Sequence, residues 1–170
     1  KTDYQLPRVI LGADLSTRFQ LMDPDAPLRH QIYLKLSARA RLTRNLDLWG
    51  LYGLNIDNQF SNERVSNSRI QRVRSDLNRY LTEGSSGLDQ LFIEYRKSFD
   101  SSLHLRSYAG IFEMMYGGLG GEVLFDPFNS RFAMGITLNA LRQRGFRKNL
   151  AFKNYKTITG YVSGYYASPI

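Results

Sequence analysis

The residues of this chain with the means to do chemistry are its arginines, three of its glutamates, its two histidines and one glycine-rich run, and no familiar catalytic spacing joins them. His30 and His104 stand far apart with no carboxylate at motif spacing, so neither suggests a triad or a metal site. The absence of cysteine removes thiolate nucleophiles, disulfides and cysteine-ligated metals together. Gly117-Gly118-Leu119-Gly120-Gly121 has the outline of a phosphate loop, but no Lys-Ser/Thr follows and the next residues read as a strand. Close backbone approach or a kink is the better account of it. Glu94, Glu113 and Glu122 could pair as glycosidase carboxylates only at a separation that sequence does not disclose. The expectation is a protein that is not an enzyme, with no catalytic residue, metal or cofactor.

The arginines are the stronger signal. Arg39, Arg41, Arg96 and Arg106 fall on the polar side of alternating segments, where guanidinium forks could engage the carboxylates of a ligand. The plainer reading is that they pair across strands with Asp47, Glu94 and Glu122 and satisfy the charges of that face. Arg72, Arg74, Asp76 and Arg79 form a second set in a polar segment, read as a structured plug or as a contact for lipopolysaccharide phosphates.

What must position these residues is a set of strands. From Val9 to Leu21 the odd residues are apolar or small while Gly12, Asp14, Ser16, Arg18 and Gln20 intervene, a period of two that marks a strand with one apolar face. Seven more segments repeat the pattern: 29–42, 46–57, about 90–99, 103–111, 119–126, 131–143 and 155–166. The second puts Leu34 and Leu36 opposite Lys35 and Arg39; the third puts Leu48, Tyr52 and Ile56 opposite Asp47, Trp49, Asn55 and Asp57. A polar stretch at about 58–87 lacks the period and reads as a long loop, with a helical turn near Ser75 to Leu81.

The connections at 43–45, 100–102 and 127–130 are tight and fall on alternate ends, with longer ones between. Short turns on one rim and long loops on the other, with spans of nine to fourteen residues, are the habit of a transmembrane β-barrel. Phe19, Phe99, Phe125, Phe132 and Tyr166, near the ends of the apolar faces, suit its aromatic girdles. No apolar run approaches the ~18 residues of a spanning helix. The mean hydropathy is modest, as it must be where lipid-facing and lumen-facing residues alternate. The sequence therefore reads as all-β: an antiparallel up-and-down transmembrane barrel, one unit over 1–170 with about eight strands. A soluble lipocalin-like barrel holding a small apolar ligand shows the same period turned inside out, and periodicity alone does not separate the two.

Composition bounds the rest. A chain of 170 residues with 42% hydrophobic and 22% charged residues is expected to fold. The net charge of +8 invites nucleic acid as a partner, but the 23 lysines and arginines are spread along the chain with no helical basic stripe and no paired zinc ligands. No nucleic-acid partner is expected. No secretory leader precedes Lys1, so secretion is not judged from this end.

Three stretches carry a family resemblance: Arg72-Val73-Arg74-Ser75-Asp76-Leu77-Asn78-Arg79-Tyr80-Leu81, Met115-Tyr116-Gly117-Gly118-Leu119-Gly120-Gly121-Glu122-Val123-Leu124, and Phe128-Asn129-Ser130-Arg131-Phe132-Ala133. In order and spacing they resemble the YjbH-type exopolysaccharide proteins, across about residues 70–167 and including the Arg142-Gln143-Arg144 and Thr159-Gly160 neighbourhoods. Residues 1 to about 60 match only in their barrel-like pattern. The resemblance implies an outer-membrane barrel protein encoded with capsule and exopolysaccharide secretion genes, from a family of much longer chains. The eight strands would then be a segment of a larger barrel in the bacterial outer membrane. The implied partners are an acidic polysaccharide, outer-membrane lipids, and periplasmic proteins or lipoproteins of the same export system. The implied role is export or surface assembly of exopolysaccharide.

Overall fold

The computed structural model describes residues 8–21, 28–60 and 76–168. Eight strands follow one another: β1 (Val9–Leu21), β2 (Leu28–Arg41), β3 (Leu46–Asn58), β4 (Gly87–Ser98), β5 (Leu103–Ile111), β6 (Tyr116–Phe125), β7 (Phe132–Arg144) and β8 (Phe152–Tyr166). A six-residue helix, α1 (Leu77–Thr82), interrupts the β3–β4 connection. The strands make one antiparallel sheet in sequence order, each hydrogen-bonded to the next. The period of two thus located every strand, and α1 falls where the polar stretch without that period reads as a helical turn. Among the described residues no helix is long and apolar enough to cross a membrane.

The sheet is open. β1 and β8 are its two edges and do not pair, so these eight strands do not close into a barrel. The polar face carries Trp49, Phe92, Arg96, Arg106 and Tyr108, and at one end the helix α1 as well.

The two faces are sorted as the alternation predicts, and the apolar face is the more exposed of the two. Leu34, Leu36, Ile93, Leu105, Ile136 and Val162 lie on one face, in register with Leu15, Tyr52, Leu48, Val123 and other residues of the same kind. Leu15, Leu119, Ile136, Leu138, Ile158 and Val162 of that face are exposed, whereas Gln31, Asp47, Asp89 and Glu94 of the other are buried. A lipocalin needs its apolar face enclosed; here the apolar face is the exposed one. Near the rim of the 126–131 turn, Phe132 and Tyr166 pair with ring centroids 4.8 Å apart.

Two details depart from the sequence reading. β6 begins at Tyr116, and its link to β5 is a four-residue turn in which Phe112 and Glu113 both donate backbone N–H groups to the Tyr116 carbonyl. The alternation of tight and long connections therefore fails at this one place, and Gly117 and Gly118 belong to the strand. Asp57 was expected on the polar face, but an irregularity in register pairs it with Ile32 and skips Ile56. That one-residue slip turns its side chain to the other face, where His30 Nε2 and Asp57 Oδ2 lie 2.9 Å apart.

Candidate polar-face binding site

Asp47 on β3 and Glu94 on β4 are direct cross-strand neighbours, as are Arg96 on β4 and Arg106 on β5. Like charges directly opposite are unfavourable, but long side chains also reach the diagonal. Arg96 donates from Nε to Glu94 Oε1 at 2.7 Å and from Nη2 to Asp47 Oδ2 at 3.1 Å. Arg106 donates from Nε to Glu94 Oε2 at 2.6 Å and brings Nη1 to 3.6 Å from Glu122 on β6. Arg39 on β2 closes the other end, 2.7 Å from Asp47, with Arg41 at 3.9 Å from the same carboxylate. The outcome is a ladder of alternating charge from β2 to β6, four guanidiniums against three carboxylates.

The ladder has a depth as well as a direction. The Glu94 side chain is 4% exposed and that of Asp47 10%, whereas those of Arg96 and Arg106 are 51% and 44% exposed. Asp47 and Glu94 form the floor and hold the arginines by charge-assisted bonds, so that the Arg96 and Arg106 guanidiniums are fixed yet exposed. All four arginines picked out in the sequence, Arg39, Arg41, Arg96 and Arg106, are thus brought to one surface, and their pairing with Asp47, Glu94 and Glu122 is the cross-strand one weighed there. Glu94 and Glu122 are both engaged by Arg106, while Glu113 sits in the 112–115 turn, so the three glutamates do not form one set.

A row of aromatic rings runs beside the charges. Arg39 lies over Trp49 at 4.5 Å, Trp49 stacks with Phe92 at 6.2 Å, and Phe112 meets Phe92 and Tyr108 edge-on at 6.2 and 5.1 Å. Arg106 covers Tyr108 at 4.9 Å. Tyr108 then crosses over β6 to donate its hydroxyl to Asn139 Oδ1 on β7 at 2.6 Å. Gly120 permits the crossing, since a Cβ there would strike the Tyr108 ring and the Asn139 carboxamide. The glycine-rich run therefore serves close approach, as its sequence suggested. Two cavities, about 630 and 390 Å³, adjoin on this face and share Gln90, Phe92 and Arg106.

The far end of the polar face is capped. Tyr80 of α1 is buried with Met115 and Tyr116, and burial raises its pKa, which keeps the hydroxyl protonated to donate to the Arg144 carbonyl at 2.6 Å. Gln143 donates to Asp76 at 3.1 Å, and Arg79 pairs with Glu83 and lies over Phe146 at 3.7 Å. Asp76 and Arg79 are therefore part of a packed cap, and Arg72 and Arg74 lie outside the described residues. Beneath the cap Asp89 binds Arg18 at 2.9 Å and Lys148 at 3.0 Å. Sequence reading missed this triad. Asp89 is the extra residue of a bulge opposite Leu51 and Tyr52, which breaks the alternation that would have flagged it.

Comparison with known proteins now bears on this architecture. The family model described as "Exopolysaccharide biosynthesis protein YbjH" matches residues 3–169, which extends the resemblance over the first sixty residues as well. The "Uncharacterized lipoprotein YjbH" of Escherichia coli (strain K12) is 27% identical over 150 residues, 84% of this chain and 21% of that protein. The chain thus spans about a fifth of the length of the curated relative it matches. No solved structure matches. The chain belongs to the YjbH exopolysaccharide biosynthesis family.

Proposed function

We propose that this chain is a wall segment of a larger barrel in the bacterial outer membrane, and that its polar face helps an acidic exopolysaccharide through or into place at the cell surface by binding, without catalysis. The observation that carries the reading is the inverted burial: an apolar face left exposed, backed by a polar face on which Asp47 and Glu94 are buried and Arg96 and Arg106 are open. An apolar band belongs against lipid, and a charged, hydrated face against a lumen. On β7 the band from Phe132 to Ala140 is nine residues, within the roughly 9–11 that a tilted membrane strand needs. The unpaired edges of β1 and β8 are where further strands of the longer protein would join, because an open sheet edge is not tolerated in hydrocarbon. Outer-membrane lipids would then contact the apolar face, and proteins of the same export system would meet the rims.

Deletion of the full-length gene tests this. Secreted polymer should fall while intracellular repeat-unit synthesis continues. Unchanged secretion would contradict the role.

A further inference from the structure

The polar face is not chemically uniform. From β2 to β6 it is charged, but over the middle of β7 and β8 it turns to Thr137, Asn139, Thr159, Tyr161 and Ser163, whose side chains are hydroxyls and a carboxamide. The boundary between the two zones runs along Arg106 and Tyr108. The smaller cavity, about 390 Å³, sits on that boundary, within the usual range of small-ligand pockets. Phe112, Tyr108 and Tyr161 wall it, with Arg106, Asn139 and Thr159 among its polar groups.

The arginines of the ladder differ in what they have left to give. Arg39 is stacked on Trp49 and bound to Asp47, and Arg96 spans two carboxylates at hydrogen-bonding distance. Arg106 commits its Nε to Glu94, but its contact with Glu122 is 3.6 Å, beyond a hydrogen bond. Its Nη2 thus carries no hydrogen bond among the described residues and its Nη1 is held only by the longer contact to Glu122, which leaves a guanidinium edge to offer a carboxylate. Rings that present apolar faces beside fixed hydroxyls and amides are what a pyranose asks for, with its C–H face on the ring and its hydroxyls at the edge.

We infer that this cleft is a glycan subsite that seats one uronic-acid sugar, its ring against Tyr161, its hydroxyls toward Asn139 and Thr159, and its carboxylate on Arg106. The inference rests on the acidic-glycan reading above and assigns that recognition to one arginine and one cleft. Tyr108 is pinned by Asn139, Phe112 and Gly120, so the site is formed before the sugar arrives.

Binding by the full-length protein in detergent micelles, read by calorimetry with tetragalacturonate as the acidic probe and maltotetraose as the neutral one, tests it. The wild type should prefer the acidic probe. Arg106→Gln should weaken tetragalacturonate by about 10–100-fold, the worth of a charge-assisted bond, and leave maltotetraose unchanged. Lys35→Gln, which removes the same charge from the polar face away from the cleft, should preserve the preference. Tyr161→Ala should weaken both probes, and Tyr161→Phe should restore them. Equal losses in Arg106→Gln and Lys35→Gln would reduce the effect to a general field and overturn the subsite, as would wild-type binding by Tyr161→Ala or no acidic preference at all. Far-UV circular dichroism on each variant separates lost binding from lost folding. Secretion after gene deletion reports on export independently, so the subsite can fail while the export role stands.

Discussion

Asp47 and Glu94 face each other directly across β3 and β4, two buried carboxylates in a position that would repel were Arg96 not laid between them. Arg96 is the most exposed of the ladder's arginines that lie within hydrogen-bonding distance of a carboxylate, yet it is predicted to matter more than Arg39. Arg96→Met should cost about 1–3 kcal/mol, against about 1 kcal/mol or less for Arg39→Met, in urea unfolding of the vesicle-inserted protein. Adding Glu94→Gln to Arg96→Met should return part of the loss, because the repulsion goes with the charge. An additive double variant would show that the two carboxylates do not feel each other.

The buried triad at the capped end predicts an asymmetry. Asp89→Ala leaves Arg18 and the 1% exposed Lys148 without a counter-ion, a change worth about 3–5 kcal/mol. Lys148→Met keeps the Arg18–Asp89 pair and replaces a desolvated ammonium by an apolar chain, so it should cost less than about 1 kcal/mol. Burial lowers the Lys148 pKa below its ordinary 10.5, despite the pull of Asp89. Between the folded value and 10.5 the unfolded chain binds more protons, so wild-type stability should rise with pH across that alkaline window. Lys148→Met should lack that rise. Parallel pH profiles for the two proteins would remove Lys148 from the account.

Gly120→Val is predicted to damage the aromatic row by direct contact. Its side chain would occupy the space of the Tyr108 ring and break the bond to Asn139, at a cost of about 1–3 kcal/mol from overpacking. The companion Gly164→Ala, at a glycine with no atom within 4 Å of an added Cβ, should be near neutral. Thermal unfolding compares them, and equal midpoints would contradict the close approach.

How far the sequence foretold all this follows from what alternation can encode. A period of two states which side of a strand each residue takes, so the sorting of Leu36 from Arg39 and of Ile93 from Arg96 was legible at once. It says nothing of register between strands, which depends on turn length and bulges. Hence alternation leaves the pairing of Arg106 with Glu94 as one possibility, puts Asp57 on the polar face where the register slip does not, and leaves Asp89 unmarked at its bulge. The start of β6 was masked because Gly117 and Gly118 have no side chains to alternate. Closure is beyond reach for another reason: whether β1 meets β8, like the burial of Tyr80 of α1 against Met115 and Tyr116, is a long-range relationship that no local pattern announces.

The central claim is the facing of the sheet, and cysteine labelling of the full-length protein in its native membrane tests it most directly. On a cysteine-free background, Ile136→Cys and Leu36→Cys should react with a lipid-soluble maleimide and resist a water-soluble one. Arg39→Cys and Arg106→Cys should do the reverse. Ready aqueous labelling at 36 and 136 would contradict the account, because the apolar face would then lie against water rather than lipid.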